Sequence, residues 1–290
     1  MHFSSFLWHL FGLCSVSKMI SELMEMDIVL QGGPISQFTV EIAKSYAELA
    51  WVKTIIVSCW ESCSDLNFNN SKVKIVKTKD IPDGGITNRN RQIVSTLNGL
   101  KQVKTEFSAK FRTDQEISLD SMNEMYEFYQ EHKERKRTFT NNEVKPYNRI
   151  CVASIFKEFP FHPRDHWFWG NTKDLIDLFS IPLELGQKLP KNVHRIENWL
   201  SIVRSEVYIS QFYCAKFDSR VKKMIENPLE YLVDRAPNIK KAFKLSKELM
   251  DDIFKVFPRV HYKWPKYYGQ QDLFDFQNPH PDYYHGEEPK

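Results

Sequence analysis

Between residues 27 and 112, short apolar runs alternate with stretches of helical periodicity, and this alternation constrains the chain more than any other feature. Asp27–Gln31 (DIVLQ), Thr54–Trp60 (TIIVSCW) and Val73–Lys77 (VKIVK) read as strands. Thr39–Ala50 reads as a helix, with Val40, Ala43, Ala47 and Ala50 forming one small apolar face. The first two strands are almost continuously apolar, so both of their faces need cover. A mostly parallel sheet flanked by helices provides it, and the expected fold class is α/β.

The most informative stretch follows a second predicted helix. That helix runs from Asn88 to Leu100 with an apolar stripe of Ile86, Ile93, Leu97 and Leu100. Its other side carries Asn88, Arg91, Ser95 and Asn98, and its N-terminus offers backbone N–H groups suited to an anion. Then comes Phe107–Phe111, a strand that leads into Arg112, Thr113 and Asp114. A carboxylate just past a strand lies at the carboxyl edge, where open α/β sheets bind ligands. Lys110 and Arg112 share its side of the chain. Two cations beside one carboxylate suit either an ion-pair cluster or a site for a diphosphate. On the same grounds Asp114 either holds a divalent cation, Mn2+ or Mg2+, or pairs with Arg112.

Further along, Leu119–His132 is a predicted helix with Met122, Met125, Tyr126 and Tyr129 inward, and Arg149–Phe156 a strand. Phe161–Gly170 is the densest aromatic and ionisable stretch, and Asn171 or Thr172 caps a helix that runs to Leu178. Asn192–Gln211 reads as helical in two pieces and contains Glu206. After Asp218 the chain turns to Lys- and Glu-rich helical runs at Ser219–Ile225, Leu229–Val233 and Ile239–Val256, followed by an aromatic tail from His261.

Composition excludes several classes. Forty Lys and Arg against 37 Asp and Glu give a net charge of +3, without the concentrated basic excess of a nucleic-acid binder. The five cysteines are scattered without a CxxC pair, which suits reduced thiols in a cytoplasm better than zinc or disulfides. No GxxxxGK[ST], GxGxxG or GxSxG is present, which removes P-loop, dinucleotide and nucleophile-elbow readings. The apolar run at residues 3–16 is too short to span a bilayer and lacks a basic flank and cleavage site. Residues 1–25 are expected to form a peripheral extension, dispensable for ligand binding, with contact to a membrane surface as its functional alternative.

One chemistry whose needs this set meets is transfer from a nucleotide-activated sugar. It requires a strand-end loop for the base, a carboxylate for a metal at the diphosphate, cations against the leaving charge and a carboxylate base for the acceptor hydroxyl. Gln31, Gly32, Gly33 and Pro34 with Asp80 supply the first; Asp114 supplies the second; Arg91, Lys110 and Arg112 supply the third; Glu206 or Asp165 supplies the last.

The order of these residues resembles the WavE-type lipopolysaccharide-synthesis family. The likeness rests on Asp27–Ile35, Trp60 at the end of the second strand, Asn88–Leu100, Lys110–Asp114, Asp165–Gly170 and Ser205–Ile209, and covers about residues 26–215. It implies a GT-A-like (Rossmann-like) glycosyltransferase building a lipopolysaccharide- or capsule-type surface glycan, with a nucleotide-sugar donor and a glycan or glycolipid acceptor. It also implies Glu206 as a helix-borne general base in an inverting reaction. Asp165, His166, Trp167 and Trp169 are then acceptor-side residues, with the tryptophans as sugar-stacking faces. The expected organisation is residues 1–25 as an extension, 26–118 as donor half, 119–217 as acceptor half, and 218–290 as a helical and aromatic extension on the same domain. The strand-end motif has one clear acid, Asp114, with Glu116 following, rather than an Asp-x-Asp pair, so Lys110 and Arg112 are alternatives to a metal ion. The rival function is a non-catalytic nucleotide- or glycan-binding module on a degenerate transferase fold.

Overall fold

The computed structural model describes residues 23–134, 148–156, 160–184, 204–226, 236–257, 262–263 and 283–284. Their main sheet has seven strands in the order β3-β2-β1-β4-β8-β6-β9: β1 (Met26–Gln31), β2 (Val52–Trp60), β3 (Val73–Thr78), β4 (Phe107–Arg112), β6 (Ile150–Val152), β8 (Trp167–Asn171) and β9 (Phe254–Val256). Strands β1 to β4 run parallel to one another, β8 is antiparallel to both its neighbours, and β9 pairs parallel to β6. The α/β expectation is borne out.

Strand parity explains the layers. Successive residues of a strand point to opposite faces. Ile28, Leu30, Ile55, Val57, Ala109, Phe111 and Trp169 therefore share one core with helices α1 (Gln37–Ala47) and α3 (Leu119–His132). Val29, Ile56 and Phe168 share the other. It is covered by α2 (Arg89–Leu100), α4 (Thr172–Phe179), α5 (Ser205–Ala215), α6 (Ser219–Glu226) and α7 (Ala236–Ile253). Met122, Met125, Tyr126 and Tyr129 are core residues as the periodicity of α3 required. Helix α4 is capped by Asn171, whose side chain accepts from the Lys173 amide.

Two expected elements differ from the sequence reading in their boundaries. The run Arg149–Phe156 is not one strand but β6 followed by β7 (Ile155–Phe156). Ile239–Val256 is not one helix, because its last three residues leave α7 and pair with β6 as the sheet's edge strand β9. The C-terminal region thus completes the sheet as well as packing on it. The short strands β5 (Glu116–Ile117) and β10 (Tyr262–Lys263) pair with each other, and β11 (Tyr283–Tyr284) pairs with β7. The helical expectations at Leu229–Val233 and for the first part of Asn192–Gln211 lie outside the described residues, as do most of the N-terminal extension and the aromatic tail.

Hydrogen bonds lock the carboxyl ends of the parallel strands together. The Gly32 amide donates to the Ser58 carbonyl and the Thr113 amide to the Gln31 carbonyl. The Thr39 hydroxyl, in the first turn of α1, donates to the Thr113 carbonyl at 3.2 Å. Gly32 has φ 129°, a backbone conformation that favours glycine, and a Cβ there would lie 3.1 Å from Thr113 Oγ1.

Candidate functional site

A cleft of about 740 Å³ opens over this edge. Its walls gather most of the residues expected from the sequence: Gln31, Gly32, Gly33, Pro34, Trp60 and Asp80; Asn88 and Arg91; Arg112 and Asp114; and Asp165 and Glu206. These come from the ends of β1, β2, β3 and β4, the start of α2, the turn before β8 and the first turn of α5. Residues separated by more than 170 positions therefore converge on one space.

Asp165 reaches the cleft because β8 is antiparallel to β4, with Trp167 paired to Phe111. The turn before β8 is thereby placed at the same edge as the end of β4. Asp165 Oδ2 accepts from Gln92 Nε2 at 2.7 Å and lies 3.8 Å from Arg112 Nη1. Arg112 Nε and Nη2 donate to the two oxygens of Asp114 at 2.8 and 2.7 Å, a fork-to-fork pair. Arg112 thus stands between two carboxylates while its side chain stays 32% exposed to the cleft. On another wall, Arg91 Nε is 3.0 Å from Asp80 Oδ1, and Arg91 Nη1 donates to Asn88 Oδ1 at 3.1 Å.

The start of α2 is held in an unusual backbone. Thr87 and Asn88 have φ of 55° and 61°, a region a β-branched residue rarely occupies and one that costs roughly 1–3 kcal/mol. The Thr87 and Ser205 hydroxyls lie 2.8 Å apart, and both residues line the cleft. Behind them Arg89 and Glu184 form a buried ion pair at 3.5 Å, with the Arg89 guanidinium over the Tyr208 ring. Asn90 exchanges hydrogen bonds with the Glu184 backbone, accepting from its amide and donating to its carbonyl, each at 2.8 Å. The segment at 182–184 is therefore clamped to the helix that carries Arg91 and Gln92.

The polar side of α2 is not a plain solvent face. Ser95 is buried, its hydroxyl accepting from Gln31 Nε2 and its carbonyl from the Ser58 hydroxyl. The helix lies close enough for this because Gly99 packs directly on Val29 and Ser58.

Four expected site residues do not line the cleft. Lys110 is fully buried within β4, and its ammonium donates to the Asp165 carbonyl at 2.7 Å. Burial pushes its pKa down to about 8, against the pull of Asp165. Trp167 and Trp169 are not sugar-stacking faces: both are buried in β8, and Trp169 packs against Trp51, Phe111 and Phe257. His166 meets Gln115 Nε2 through Nδ1 at 2.7 Å, and burial drives its pKa down to about 3, which leaves it neutral at pH 7. Burial also opposes the charge of Asp165, but Lys110 and Arg112 outweigh it and hold the carboxyl below its ordinary value.

The sequence reading missed Ser62, Cys63 and Ser64 after β2, together with Gln92, Thr113 and Arg204, all of which line the cleft. The carboxyl-edge rule applied to Trp60 would have reached the first three. Glu206 is 3.8 Å from the buried His162 Nε2, a neighbour that no spacing in the sequence suggested.

The surroundings of Asp114 do not suit a divalent cation. Both of its oxygens already accept from Arg112, and among the described residues no group of three or more His, Cys, Asp or Glu is arranged to hold a metal ion. A dication on Asp114 would sit roughly 5 Å from the guanidinium, a repulsion on the order of 7 kcal/mol at an effective dielectric constant of about 20.

Fold and cleft together define an α/β protein with a polar cleft over the carboxyl edge of its parallel strands. A family model for WavE lipopolysaccharide synthesis matches residues 52–236, more than half of the chain, and the chain belongs to that family. No curated protein matches it. Among solved structures it is similar to HddC from Yersinia pseudotuberculosis, at 12% identity and TM-score 0.36, over 59% of this chain and 87% of that one. It is also similar to S. aureus TarS 1-349, at 14% identity and TM-score 0.37, over 67% of this chain and 55% of that one. A complex of TarS 1-349 with UDP-GlcNAc matches at 12% identity and TM-score 0.34, over 77% of this chain and 81% of that one. Overlaps this loose carry no functional argument.

Among the described residues no helix is long and apolar enough to cross a membrane.

Proposed function

We propose that the protein transfers a sugar from a nucleotide-sugar donor to a growing surface glycan of lipopolysaccharide or capsule type, with inversion at the anomeric carbon. Donor residues and a carboxylate from the acceptor half face one cleft, and that convergence is the observation that carries the reading.

In this reading the nucleoside lies over the Gln31–Pro34 turn against Trp60, with Asp80 beside it. Arg91 and Arg112 face the diphosphate, whose charge grows as the glycosidic bond to it breaks. Preorganised cations lower the barrier because they are already aimed where charge develops. Glu206 takes the proton from the acceptor hydroxyl as that oxygen attacks the anomeric carbon; a carboxylate in hydrogen-bond reach of the acceptor is suited to this role. The Oδ2 atom of Asp165 is engaged by Gln92, leaving Oδ1 for a second acceptor hydroxyl. No step passes through a metal ion. A cytoplasmic location with access to a membrane-borne glycolipid acceptor belongs to the same proposal.

Glu206→Gln tests it. The variant should lose about two to four orders of magnitude in transfer rate, the usual share of general base catalysis, while donor affinity stays within about twofold of wild type. Near-normal transfer in that variant overturns the assignment. Donor hydrolysis without acceptor separates the transferase from a non-catalytic binding module, which should show none. That rival loses Trp167 and Trp169 as exposed sugar faces, since both are in the core.

A further inference from the structure

We infer that the cleft takes the donor diphosphate without a divalent cation, on a guanidinium held in place by two carboxylates, Asp114 and Asp165. The inference rests on the reading of the ligand as a nucleotide sugar and concerns how its charge is met.

Arg112 is the centre of the arrangement. Asp114 binds its Nε and Nη2 edge in a fork, and Asp165 Oδ2 lies 3.8 Å from Nη1 at the other end. Gln92 anchors Asp165 from α2, and the Asp165 backbone is anchored separately by the Lys110 ammonium at 2.7 Å. The long arginine side chain is thereby restrained along its length while a third of it still faces the cleft. The planar fork of a guanidinium matches two phosphate oxygens, and the exposed third of this side chain faces the space where they would lie. Ordering a free arginine on binding would cost side-chain entropy; here that ordering is already built in.

Charge placement agrees with the geometry. Asp114 stands where a metal ligand would be expected, yet it serves an internal cation, and Arg91 on another wall adds a second guanidinium fixed by Asp80 and Asn88. A diphosphate entering this space meets two oriented guanidinium groups. A dication on Asp114 would have to share it with the guanidinium that already donates to both of its oxygens. Asp114 and Asp165 are therefore positioning residues for Arg112.

The test is calorimetric titration of the full chain with UDP, GDP, ADP and CDP, each in EDTA and in excess manganese. At least one nucleoside diphosphate should bind with dissociation constants within about twofold in the two conditions. Arg112→Lys keeps the charge but not the fork, and should weaken that nucleotide about tenfold in both conditions. Asp114→Asn should weaken it severalfold with the metal comparison still flat, and melting curves check that each variant is folded. Binding that falls tenfold or more in EDTA and returns with manganese overturns the inference and leaves the nucleotide-sugar reading standing. Unchanged affinity in a folded Arg112→Lys variant also overturns it. If none of the four nucleotides binds in either condition, the nucleotide-sugar reading fails and this inference falls with it. The wild-type comparison needs no variant, so it decides the question even where a substitution prevents folding.

Discussion

Gly99→Ala sets two effects of similar size against each other, and the structure decides between them. Inside a helix, alanine is favoured over glycine by about 1 kcal/mol, so propensity alone makes the variant more stable. Gly99, however, lies where α2 touches the sheet. A Cβ there would sit 2.5 Å from Val29 Cγ1 and 2.9 Å from Ser58 Cβ, both distances that real Cβ atoms do not tolerate. Val29 is fully buried and Ser58 is tied to the Ser95 carbonyl, so neither can swing aside. Relief requires the helix to lift from the sheet. Overpacking of this kind costs about 1–3 kcal/mol, and the close-packed pair of contacts puts Gly99 at the upper end. The net expectation is a loss of about 1–2 kcal/mol.

At about 2–4 °C per kcal/mol for a domain of this size, that loss lowers the melting temperature by roughly 2–8 °C. The same shift strains the Gln31–Ser95 and Ser58–Ser95 bonds, and α2 carries Arg91 and Gln92 to the cleft. Nucleotide affinity should therefore drop together with stability. Differential scanning calorimetry and ligand titration on the same sample measure both. A Gly99→Ala protein that melts at or above the wild-type temperature would refute the reasoning, because propensity would then have outweighed packing.

Two further outcomes follow from buried charges. Lys110 has a pKa of about 8 in the fold against an ordinary 10.5, a gap worth roughly 3 kcal/mol. Between those pH values the unfolded chain holds a proton that the folded chain has released, so stability rises with pH across that window. Compared with Lys110→Met by denaturant titration, wild type should gain up to about 3 kcal/mol between pH 8 and 10.5; a flat difference would show that the ammonium is not desolvated. For Arg89 and Glu184, removing one partner leaves a buried charge, so Glu184→Ala should cost about 3–5 kcal/mol by the same measurement. The double variant Arg89→Met/Glu184→Leu should recover a large part of that cost, and a double variant no better than the single would show that the pair is not the cause.

How much of this was legible in the sequence turned on position relative to strand ends more than on residue type. Gln31, Trp60 and Asp114 line the cleft because each lies at or just past the end of a strand whose apolar run is unmistakable. Lys110, Trp167 and Trp169 have the chemistry of a phosphate cation and of sugar platforms, yet they sit inside β4 and β8. Strands covered on both faces bury whatever they carry. Lys110 was grouped correctly with Arg112 by parity, but parity says only which side a residue faces, and Phe168, its partner across the β4–β8 ladder, closes that side two residues before the edge. Asp165 was singled out by the resemblance and by its aromatic-rich segment; it precedes its strand, and reaches the cleft only because β8 runs antiparallel to β4, a reversal that hydrophobic periodicity does not encode. The polar side of α2 was read as a choice between solvent and ligand, and the structure turns it to both cleft and sheet. Arg91 and Gln92 turn to the cleft while Ser95 bonds to Gln31 beneath it. A glycine at position 99 was the signal for that close approach, since a helix that only shields a sheet from water has no need of one there. The cleft is thus set by two features a one-dimensional pattern carries weakly, the sense of β8 and the separation of α2 from β1. Both are fixed by contacts between residues far apart in the chain.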